Sequence, residues 1–165
     1  MTVAAYPWLV NAASALQHTS WAVALAYSDW AYPLVQFVHF TGLSLWICTN
    51  LALDLRLVGV GSKRQTAAQL ARALLPWNWI GFIIAVTGGF MLFSITAAGY
   101  VTNPAFEVKL GILVPAAVLA HIAVQRKALR WTSDAETPAI ARAAGFAEMA
   151  LWLSVITAAV LIPYF

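Results

Sequence analysis

Four long apolar runs divide the chain: Tyr32 to Val58, Trp77 to Ala98, Phe106 to Val124 and Ala143 to Ile162. Each supplies about the 20 residues that an α-helix needs to cross a hydrocarbon core of roughly 30 Å. The first run is longer and is expected to tilt or project. Trp30, Tyr32, Trp77, Trp79, Tyr100, Trp131 and Tyr164 mark the run ends as interfacial aromatic belts do. The pattern predicts an all-α fold: an integral membrane four-helix bundle over residues 31–165 in up-down-up-down order. Small residues recur four apart, Gly81, Ala85 and Gly89 in the second run and Ala150, Ser154 and Ala158 in the fourth. Such stripes let spans approach closely, within one chain or between two copies.

Residues 1–30 read differently. Asn11, Gln17, His18, Thr19 and Ser20 interrupt the apolar positions, while Trp8, Leu9, Ala12, Ala13, Ala15 and Leu16 leave a loose helical stripe. No basic residue precedes the apolar part, as a secretory signal would require. The expectation is an N-terminal amphipathic helical segment, one or two short helices lying on the outer interface. A fifth span is the alternative.

Composition narrows the class. Hydrophobic residues make up 62% of the chain and charged residues 9%, against roughly 25% charged in a soluble domain. That excludes an ordinary soluble enzyme, a disordered chain and a nucleic-acid binder. The net charge of +3 reports topology rather than an anionic partner. Arg56, Lys63, Arg64 and Arg72 surround the first connection, and Arg126, Lys127, Arg130 and Arg142 the third. The second connection, Gly99 to Ala105, has no basic residue, and only Lys109 lies near it. Basic loops stay cytoplasmic, so both termini are expected on the outer side.

Polar residues inside spans are costly and need a reason. Asp54 and Arg56 fall near the inner boundary, two apart and so on different helix faces. They, and Lys109 beside Glu107 at the start of the third span, are read as structural. Asn103-Pro104 is expected to cap that span, and Pro115 to kink it. Cys48 reads as a packed apolar residue.

The histidines carry the candidate chemistry, because a buried His in a helical bundle can ligate haem. His39 lies roughly 10 Å inside the outer boundary at 1.5 Å per residue. His121 lies roughly 15 Å deeper, so the two make a poor axial pair. Depth instead matches His39 with Met91 and His121 with Met149, and His18 could approach His39 from the outer segment. Covalent c-type attachment is excluded, since no Cys-x-x-Cys-His occurs. No zinc-ligand spacing, phosphate loop or nucleophilic triad is present. The middle of the spans reads as nearly free of ionisable groups, which argues against a transporter.

The series Trp30-Ala31-Tyr32-Pro33, His39-Phe40-Thr41-Gly42 and Asp54-Leu55-Arg56-Leu57-Val58-Gly59 resembles a family of small bacterial four-span membrane proteins of unknown function. Leu75-Pro76, Thr87-Gly88 with Leu92-Phe93, and Asn103-Pro104-Ala105-Phe106 with Lys109 extend the likeness over most of residues 30–165. The resemblance implies the four-span topology and a bacterial cytoplasmic membrane, and draws attention to His39, Asp54, Arg56 and Lys109. It implies no activity. The chain departs from the family pattern at His121, where Asn is expected, and at its Leu161-Ile162-Pro163-Tyr164 ending, which lacks an expected arginine.

The leading expectation is a non-enzymatic membrane subunit that holds a b-type haem on His39, near the outer face, for electron transfer. The alternative is a structural or assembly subunit that contacts lipid, other membrane subunits or a second copy of itself. A quinone-reactive enzyme ranks last, because Asp54 and Trp77 belong to one side of the membrane and His39 to the other.

Overall fold

The computed structural model describes residues 6–60, 64–131 and 138–165, all in helices or short connections. Two short helices come first, α1 (Pro7–Gln17) and α2 (Ser20–Ala26). Then come α3 (Ala31–Val58), α4 (Ala67–Ile95) and the single turn α5 (Ala97–Tyr100). A third long unit joins α6 (Pro104–Val108), a π turn (Lys109–Leu113) and α7 (Val114–Ala128), and α8 (Ala139–Leu161) ends in a 3-10 turn (Ile162–Tyr164). Four units are long and apolar enough to cross a membrane: Ala31–Val58, Ala67–Ile95, Pro104–Ala128 and Ala139–Tyr164. The chain is a multi-pass membrane protein built as a four-helix bundle. Leu34, Phe37, Ile83, Ile112, Leu119 and Leu153 point outward as a bilayer-facing surface.

Local chemistry explains the ends. Thr66 and Gln69 form a reciprocal capping box that starts α4 at Ala67, not at Trp77 as the hydropathy suggests. Pro76 therefore lies inside α4 instead of opening the span. Three of the added alanines, Ala67, Ala68 and Ala71, are buried, and Ala67 and Ala71 pack with Leu53, Leu57, Val124 and Ala128 in one cluster. Asn103 caps the third unit, accepting from the Phe106 N–H at 3.1 Å, and its own amide donates to the Ile162 carbonyl at 2.8 Å. The wide turn at Lys109–Leu113 comes just before Pro115. It accommodates the ring that would otherwise clash with the carbonyl four residues earlier.

The small-residue stripes are used inside the chain. A Cβ added at Gly42 would come 2.6 Å from the Ala85 nitrogen, and one at Gly81 would come 2.7 Å from the Trp46 nitrogen. The Gly81–Ala85–Gly89 face is thus the α3–α4 contact, and is not left open for a second copy. On α8 the inward stripe is Gly145, Glu148, Trp152, Val155 and Ala158. Ala150 and Ser154 are exposed, so the expected Ala150–Ser154–Ala158 face is corrected to Ala158 alone. A spacing of four drifts about 40° around the helix at each step, so only Ala158 of that series falls on the inward face that Glu148 and Trp152 share. Helices α1 and α2 pack at the bundle end away from the Arg-rich connections, where Gln17 Oε1 accepts from the Ala98 N–H at 3.2 Å. Neither is long enough to cross a membrane.

Candidate functional site

The end of the bundle bearing the α3–α4 and α7–α8 connections is called here the basic end. In the half nearest to it, all four spans turn polar side chains inward. Helix α3 contributes Thr49, Asn50 and Asp54, and α4 contributes Asn78. Helix α7 contributes His121 and Gln125, one turn apart, and α8 contributes Glu148 and Trp152, also one turn apart. All eight side chains are buried. His121 lies roughly 10 Å from the end of α7 at 1.5 Å per residue, so the junction sits within the span rather than at its mouth.

Asn78 is the hub. Its amide nitrogen donates to Thr49 Oγ1 at 2.9 Å, to the Trp46 carbonyl at 3.4 Å and to Asn50 Oδ1. A main-chain carbonyl can only accept, so these contacts fix which end of the Asn78 amide faces which way. The Asn78 carbonyl oxygen therefore faces α7. It lies 2.9 Å from His121 Nε2 and 3.1 Å from the Gln125 amide nitrogen. Gln125 also closes against the same imidazole nitrogen.

The other imidazole nitrogen, Nδ1, bonds to Glu148 Oε1. With Nε2–H directed at the Asn78 oxygen, one proton serves the Nδ1–Oε1 contact. On the ring it makes an ion pair; on the carboxyl it makes a neutral pair. Trp152 Nε1 also donates to Glu148 Oε1, at 3.4 Å. The Asp54 carboxyl lies alongside that of Glu148, close enough for the two acids to interact. Gly145 permits this approach, since a Cβ there would sit 3.1 Å from the Asp54 carbonyl oxygen. Trp46 and Trp152, with ring centroids 4.2 Å apart, and Trp79, 6.1 Å from the His121 ring, supply apolar walls.

The residues singled out from the sequence fall in several places. His39 lies in the other half of the bundle. Its Nδ1 donates to the Ala85 carbonyl at 2.7 Å, and its ring lies against Gly89, whose added Cβ would be 3.0 Å from Cε1. Lys109, at the start of the π turn, is near enough for its charge to act on the imidazole. Met91 and Met149 are half-buried, with no bond to either histidine among the described contacts. His18 is exposed, and its Nδ1 bonds to the Ser14 carbonyl at 2.7 Å. His121 has both ring nitrogens engaged by protein groups. Asp54 joins the junction, while Arg56 is buried and its Nε donates to the Gln65 carbonyl at 3.0 Å.

The reading that the span interior is nearly free of ionisable groups is corrected: Asp54, His121 and Glu148 meet inside it. Glu148, Asn78 and Gln125 were missed. Glu148 stands three residues after Gly145 and four before Trp152, a helical spacing that marks an inward face. Among the described residues, no group of three His, Cys, Asp or Glu is arranged to hold a metal ion. No family model, curated protein or solved structure matches the chain.

Proposed function

We propose that the protein is a membrane subunit that binds and releases a proton inside its helix bundle, at the junction of Asp54, His121 and Glu148. The observation that carries this reading is the contact between His121 Nδ1 and Glu148 Oε1, which share one proton in a site buried from water and lipid. Ionisable groups within a bilayer are expensive, and chains of Asp, Glu and His are the usual material of proton relays. Here the ring is held by Asn78, whose carbonyl oxygen Gln125 also bonds, so the proton can change sides without backbone movement. Asp54 offers a second acid toward the basic end. By the distribution of Lys and Arg, that end faces the cytoplasm of a bacterial inner membrane and both termini face outward. The test is a proton-uptake titration of the purified protein in detergent. Wild type is expected to exchange about one proton more than Glu148→Gln across the titration. Superimposed curves overturn the reading. If Glu148→Gln then only loses stability, the structural or assembly role remains, within a larger membrane complex.

A second reading rests on His39. The Ala85 carbonyl can only accept, so Nδ1 carries the proton and Nε2 keeps its lone pair. That is the tautomer in which a histidine ligates iron, with a main-chain carbonyl orienting the ring. In this reading His39 and Met91 would hold a b-type haem, which would supply electron transfer, and Lys109 would pair with a haem carboxylate.

A further inference from the structure

A cavity of about 410 Å³ opens between the end of α3 and the start of α4, at the basic end and outside the polar junction. Its lining divides by chemistry. Arg56, Arg64 and Gln65 supply polar groups; Ala52, Leu55, Val60 and Leu70 supply aliphatic ones. Among the described residues, no acidic one lines it. Arg56 is only 7% exposed, and its guanidinium is oriented by the bond from Nε to the Gln65 carbonyl at 3.0 Å. A buried arginine held in this way presents a fixed fork rather than a wandering surface charge, and planar guanidinium donors match phosphate oxygens.

Position and shape narrow the ligand. The cavity lies where α3 ends and α4 begins, which is where lipid headgroups meet the spans. A soluble anion would use the arginines and leave the aliphatic lining unused. A phospholipid uses both: its phosphate meets Arg56 and Arg64, and the top of an acyl chain runs over Ala52, Leu55 and Leu70. Basic pockets between spans on the cytoplasmic side are the recurring form of such sites. We propose that this cavity is a binding site for the headgroup of an anionic phospholipid.

The test is native mass spectrometry of the full chain released from nanodiscs that mix phosphatidylglycerol with phosphatidylcholine. Wild type is expected to retain phosphatidylglycerol selectively. Arg64→Gln, at an exposed position that leaves the helix packing intact, should reduce that retention by about fivefold or more. Arg56→Gln should reduce it further. Equal retention of the two lipids, or an Arg64→Gln protein that retains phosphatidylglycerol as well as wild type does, overturns the proposal. So does competition by inorganic phosphate at concentrations comparable to the lipid, which would assign the cavity to a soluble anion.

Discussion

Asn78 Oδ1 lies 2.9 Å from His121 Nε2, while the nitrogen of the same amide reaches Thr49 and the main chain of Trp46 on α3. One side chain thus ties α4 to both neighbours and sets the direction in which the imidazole points. Its loss should strand His121 Nε2 and the Thr49–Asn50 pair without their partner. Asn78→Leu is expected to destabilise the bundle by about 2–4 kcal/mol, the cost of leaving buried polar groups unpaired. Thermal unfolding in detergent would register this. An unchanged transition would mean that the hub is dispensable.

The α3–α4 contact predicts a contrast between two glycines. Gly42 has no room for a Cβ, with Ala85 N and the Ile84 side chain within 3 Å. Gly111 has nothing within 4 Å of the same position. Gly42→Ala should therefore destabilise by about 1–3 kcal/mol through forced separation of the helices. Gly111→Ala should be neutral to slightly stabilising. Paired unfolding curves check both, and similar behaviour of the two variants would contradict the packing described.

Much of this was legible in the residues. Four spans follow from hydropathy alone, and α3 begins and ends almost where its apolar run does. The start of α4 was hidden because Gln69 and Arg72 interrupt Ala67 to Leu75 and Pro76 reads as a helix start; a capping box and alanine packing extend the helix, and hydropathy does not read either. The polar junction was hidden for a different reason. Asp54, Asn78, His121 and Glu148 stand on four separate helices, and no spacing along the chain encodes which inward faces meet. His39 was conspicuous because it is alone, yet its carbonyl partner Ala85 lies on another helix and has no polar side chain to betray it.

Asn103 binds two spans at the end away from the arginines, through its cap on Phe106 and its bond to Ile162. Asn103→Ala should cost about 1–2 kcal/mol, combining a lost cap with a lost bond across helices. Limited proteolysis should then cut near the C-terminus more readily. Protection equal to wild type would show that the bond to Ile162 does not hold the end of α8.

The cofactor reading makes its own demand on His39. Protein purified after expression with added haem should show a Soret band, and His39→Ala should lose it. Gly89→Leu should lose it as well, because the new side chain displaces the ring that lies against Gly89. No Soret band in the wild type ends this reading and leaves the proton junction untouched.

The central claim, a proton held between His121 and Glu148, is tested most directly by pH-difference infrared spectroscopy of the protein in lipid. The account predicts a titrating carboxyl band that disappears in Glu148→Gln and is altered in His121→Asn. A difference spectrum with no carboxyl band, or one that Glu148→Gln leaves unchanged, would contradict it.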